Sequence, residues 1–114
     1  MKLEFEKKMH LVSDMLSYCH LKGALEYTID MADKSGSCII KIKARPVNLS
    51  GDSMEKLHTR LNAPRNAEIE RDYWGLTGES ESFSELMLVG MMIDEAEIEY
   101  AGSVLTITIK RHDL

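Results

Sequence analysis

Between residues 5 and 22, apolar side chains return every three or four positions. Met9, Val12, Leu16 and Cys19 mark the stripe, with Phe5 and Met15 nearby. That spacing predicts an amphipathic helix. Gly23 follows, where a glycine ends a helix. Lys2 to Phe5 alternate, so a short strand fits there as well as a first helical turn. At Leu25 the period changes to two. Leu25, Tyr27, Ile29 and Met31 fall on one side, and Glu26, Thr28 and Asp30 on the other. The turn-rich stretch Ala32 to Ser37 leads to a second alternating run over 38–44. There Cys38, Ile40, Ile42 and Ala44 oppose Lys41, Lys43 and Arg45. An acidic outer row on the first strand thus faces a basic outer row on the second, which favours their pairing. Pro46 ends the second strand.

The helical period then returns. Ser50 to Ser53 offer N-cap residues for a helix over about 53–62, with Met54, Leu57 and Leu61 on one face and Pro64 as its stop. Residues 65–76 fit a short helix through Ile69, Tyr73 and Trp74. Ser82 and Glu85 have capping-box spacing before the nearly continuous apolar run Leu86 to Ile93. A helix that is apolar on most sides is buried on most sides. Gly90 within that run predicts a close approach to a neighbouring backbone. The tail reads as a hairpin, with Ala96, Ile98 and Tyr100 alternating before Ala101-Gly102-Ser103, and Leu105, Ile107 and Ile109 after it. Together these elements predict one α+β domain over 1–114, a two-layer sandwich with helices on one face of a mixed, mainly antiparallel sheet.

Composition narrows the function classes. The chain has 114 residues, 44% of them hydrophobic and 29% charged, the balance of a globular domain. Its net charge of -5 removes the general electrostatic drive toward nucleic acid, and no nucleic-acid partner is expected. No apolar run approaches the ~20 residues of a membrane span, and charges interrupt the N-terminus too early for a signal peptide. A cytoplasmic protein is expected, with Cys19 and Cys38 as reduced core thiols. His10, His20, His58 and His112 have no close metal-ligand spacing, so no metal is expected. Cys19 and His20 are neighbours but point about 100° apart on a helix, which argues against a thiol–imidazole pair.

The stretch Glu85-Leu86-Met87-Leu88-Val89-Gly90-Met91-Met92-Ile93-Asp94, the strand to Tyr100, and the closing Gly102-Ser103-Val104-Leu105-Thr106-Ile107 resemble the end of the histidine-kinase-like ATPase domain. The look is nearest to the small bacterial anti-sigma-factor serine kinases. The resemblance covers about 80–111 and is looser over 9–62, where helix, hairpin and helix come in that family's order. It implies an ATP site with three parts, and this chain departs from each. The family's first helix carries a glutamate and, four residues on, a magnesium-holding asparagine; here Asp14 and Tyr18 stand there, and a phenol is no hard-cation ligand. The family's central strand ends in an adenine-reading aspartate and glycines; here it ends in Ala44, Arg45 and Pro46. The family's glycine-rich phosphate turn is replaced by Phe83, Ser84 and Glu85. A carboxylate in the first turn of the following helix repels a triphosphate.

A degenerate ATP site with no cofactor and no catalytic residues is therefore expected. The segment corresponding to the family's nucleotide lid, 62–84, combines Arg65 and Arg71 with Tyr73 and Trp74, residue types enriched at binding hot spots. By resemblance, the implied function is non-catalytic, regulatory protein binding, with a sigma factor or an antagonist as the kind of partner and a homodimer as a further possibility. Two other readings stay open. One is a small-molecule sensor using the vacated pocket, with Arg45 or Arg65 as counter-charge. The other is a divergent ATP-dependent serine kinase relying on Asp14, Asp52 or Glu85.

Overall fold

The computed structural model describes residues 2–66, 68 and 86–112. Its elements are α1 (Lys2–Leu21), β1 (Glu26–Lys34), β2 (Ser37–Arg45), α2 (Gly51–Leu61), α3 (Met87–Met91), β3 (Glu95–Ala101) and β4 (Val104–His112). The strands form one sheet in the order β1-β2-β4-β3. All three pairings are antiparallel, so the parallel component of a mixed sheet is not found among the described strands. The architecture is α+β, with helices packed on an open four-stranded sheet.

Alternation in the sequence decides which face is buried. Cys38, Ile40, Ile42 and Ala44 of β2 stand opposite Arg111, Ile109, Ile107 and Leu105 of β4, and all eight are buried. Each fully buried aliphatic side chain in that layer contributes roughly 1.5–3 kcal/mol. The other face is polar. Glu26 stands opposite Arg45 and Asp30 opposite Lys41, the charge-matched rows the sequence predicts. Both hairpins close with two-residue loops whose central residues have positive φ. These are Ser35 and Gly36 at 48° and 80°, and Gly102 and Ser103 at 58° and 66°. Such loops match the right-handed twist of the strands they join.

α1 starts at Lys2, so the alternating stretch before Phe5 is helical. Its end follows the glycine rule. Gly23 has φ +101°, its N–H donates to the His20 carbonyl, and the Ala24 N–H donates to the Cys19 carbonyl. This pattern satisfies carbonyls that the helix leaves unpaired. The buried face of α1 is rotated from the expected stripe. Leu11, Val12, Met15, Tyr18 and Cys19 are buried, whereas Phe5 and Met9 are exposed. α2 begins at its Ser50 cap, whose side chain accepts from the Ser53 N–H, and it buries Leu57 and Leu61. α3 is shorter than the apolar run around it. Met92 and Ile93 leave the helix yet stay buried on the way into β3. Gly90 lies against the Arg60 carbonyl at the end of α2, and a Cβ there would overlap it. The close approach read from Gly90 is thus the α2–α3 contact.

Candidate functional site

Of the positions at which the resemblance implies a nucleotide, Asp14 and Tyr18 lie on α1, Ala44 on β2, and Pro46 just after it. Tyr18 is buried in the core, and the Lys22 ammonium sits 5.5 Å from its ring centre. Asp14, one turn earlier, is half-buried. Ala44 is fully buried in the sheet interior, facing Leu105 of β4. Pro46 is exposed and brings no N–H to the site. Phe83, Ser84 and Glu85 lie outside the described residues, as do Arg71, Tyr73 and Trp74.

The segment after β2 is held by hydrogen bonds on several sides. The Leu25 N–H donates to the Arg45 carbonyl at 2.9 Å, and the Val47 N–H to the Ser103 carbonyl at 2.8 Å. The Asn48 N–H donates to the Lys22 carbonyl at 3.2 Å. The Tyr100 hydroxyl donates to the Val47 carbonyl at 2.8 Å and accepts from the Leu49 N–H at 3.1 Å. Val47 and Leu49 are buried between these anchors. Residues 45–49 are thus held by hydrogen bonds to β3, to the β3–β4 turn and to the residues just after α1, with Val47 and Leu49 buried.

Arg65 is engaged within the fold. Its guanidinium donates to Asp94 at 2.8 Å and to the His112 carbonyl at 3.1 Å. The Asp94 carboxylate also accepts from the His112 N–H at 2.7 Å. This clamp ties the chain after α2 to the start of β3 and the end of β4. Arg45 pairs with Glu26 at 2.7 Å on the exposed face. Asp52, at the first turn of α2, pairs with Lys56 at 3.3 Å. A shallow groove of about 280 Å³ runs along α2, lined by Glu55, Lys56, Thr59 and Arg60.

One charged cluster went unread in the sequence. Arg111 is only 1% exposed. Its guanidinium donates to both Glu4 carboxylate oxygens, at 2.7 and 3.2 Å, and to the Met92 carbonyl at 2.6 Å. A hydrogen bond from Arg111, opposed by partial burial, holds the Glu4 carboxyl below its ordinary pKa. One turn along α1, the buried Lys8 ammonium lies 2.9 Å from Asp33. Donation from Lys8 and from the Cys38 thiol lowers the Asp33 carboxyl in turn. The signal was present: Arg111 continues the inward row 105, 107, 109. A buried arginine needs a partner, and Glu4 lies on the same side of α1 as Lys8.

The remaining candidates keep their structural roles. Burial pushes the Cys19 thiol up to about 11, while its neighbour His20 is exposed and lies 3.4 Å from the Tyr27 hydroxyl. Among the described residues no group of three or more His, Cys, Asp or Glu is placed to hold a metal. No described helix is long and apolar enough to cross a membrane. No known protein-family model matches the chain, and none of the curated proteins matches it.

Proposed function

We propose that this chain is a non-catalytic, cytoplasmic regulatory domain that binds a protein partner on a histidine-kinase-like ATPase scaffold whose nucleotide site has been given up. The order of helix, hairpin, helix, helix and hairpin supports the scaffold half of that reading. One observation carries the other half. The helix position that should offer magnesium an amide oxygen is Tyr18, with its ring in the core, and the strand position beside it is the buried Ala44. A phenol does not coordinate a hard cation, and an alanine methyl offers an adenine amino group no carboxylate. By resemblance, the partner is a sigma factor or an antagonist of one.

The test is calorimetric. Titration of the full chain with magnesium and ATP gives no saturable heat, and melting temperature stays unchanged across the same titration. Magnesium-dependent binding in the micromolar range overturns the reading and returns the chain to the ATP-using class. Recovery of a stoichiometric protein partner from the native host supports the binding role.

A further inference from the structure

The inner face of the sheet changes chemistry at one end. Met31, Ile40, Ile109 and Ala96 form an apolar row across the four strands. The next row is Asp33, Cys38 and Arg111. The first turns of α1 cover it, and the cover is ionic. Glu4 holds Arg111 through both carboxylate oxygens, and Lys8, four residues on, holds Asp33. Cys38 stands between those two clasped residues, fully buried, and its thiol donates to Asp33. The helical turn that joins Glu4 to Lys8 therefore passes over that thiol.

α1 thus divides into two parts. Leu11, Val12, Met15, Tyr18 and Cys19 bury apolar surface in the core. Over 4–10 the buried side chain is Lys8, while Phe5 is 54% exposed and Met9 42%. Apolar burial fastens the second part. Ion pairs fasten the first, and their attraction is largely offset by the water the charges give up. Segments with few buried apolar contacts open at far lower cost than a whole domain. We propose that the first two turns of α1, through Met9, act as a strap that lifts off the sheet while residues 11–21 stay docked.

The two positions of the strap differ in what that end of the sheet presents. Closed, Glu4 neutralises Arg111 and the Cys38 thiol is out of water. Open, a guanidinium and a thiol share one uncovered corner with Asp33. Cys38 is then exposed conditionally, with the core still folded. Cys19 differs, because it belongs to the docked part and reaches water only when α1 as a whole leaves the core. The strap stands apart from the fate of the nucleotide site, so its test and the ATP titration fail separately.

Thiol labelling of the full chain reads the two parts of α1 separately. Both native cysteines are free and buried, so each reacts only when its surroundings open. Initial rates with N-ethylmaleimide are followed at each site by mass spectrometry. Cys38 is expected to react about tenfold or more faster than Cys19. Urea at about 1 M leaves the Cys38 rate nearly unchanged, because lifting the strap exposes little surface, and raises the Cys19 rate about tenfold. Glu4→Gln raises the Cys38 rate about tenfold. Leu57→Ala, a cavity in the core under α2, raises the Cys19 rate and leaves the Cys38 rate alone. Equal rates with one shared urea dependence overturn the proposal, because both thiols then report unfolding of the whole domain. So does a Cys38 rate that Glu4→Gln leaves unchanged. If Glu4→Gln loses its folded circular-dichroism spectrum, the urea comparison in the native chain decides alone.

Discussion

At the scale of single residues, two contacts set sharp limits. Gly90 has no room for a methyl group because the Arg60 carbonyl occupies that space. Backbone cannot move aside as a flexible side-chain tip can, so Gly90→Ala separates α2 from α3. The expected loss is about 2–3 kcal/mol, read from urea denaturation. Glu4 sets the second limit. Its carboxylate compensates an arginine that is almost wholly out of water. Glu4→Gln keeps the shape but removes the charge, and is expected to destabilise by about 1–3 kcal/mol. The same pair gives stability an acid dependence. Because the folded-state pKa of Glu4 is lowered, its contribution is complete above about pH 5 and fades as pH falls through the lowered value. Stability measured from pH 6 to 3 therefore falls less steeply in Glu4→Gln than in the native chain. Equal slopes would show that Glu4 has no part in the acid limb.

At the scale of elements, periodicity told most of the truth and helix rotation was its blind spot. The strands and their inward rows were legible because a period of two leaves no ambiguity about faces. The end of α1 was legible from Gly23, and the α2–α3 contact from Gly90. The buried face of α1 differs from the expected stripe because the helix buries Lys8, which a hydrophobic pattern does not count. Its ammonium finds Asp33, so the helix turns toward Lys8, Leu11 and Met15 and leaves Phe5 and Met9 outside. Long-range ion pairs carry no local signature, and that hid Glu4 and Arg111 as well. At the proposed vacated site, the residue identities at Tyr18 and Ala44 were readable. The hydrogen bonds that hold residues 45–49 needed the third dimension. The first hairpin also offers a local gain. Ser35 holds a left-handed conformation that serine adopts reluctantly. Ser35→Asn creates the Asn-Gly pair favoured by such turns and should add about 0.5 kcal/mol, seen as a raised melting temperature. An unchanged or lower melting point would mean that this turn is limited by something other than backbone preference.

At the scale of the whole molecule, the strand order has a consequence for how the chain comes into being. β4 follows the other described elements in sequence, yet it lies at the centre of the sheet, between β2 and β3. It also supplies Arg111, the anchor for the first turn of α1. A ribosome that has made everything up to Ala101 has therefore produced one hairpin, β1–β2, and the single strand β3, with no β4 to join them. Until residues 104–112 emerge, β2 lacks the ladder partner that flanks it on the inner side of the sheet. The β2–β4 pairing therefore joins residues far apart in sequence, a contact that forms late. A message cut short before β4 would yield a chain that cannot close its own interior, and cellular proteases would dispose of it readily.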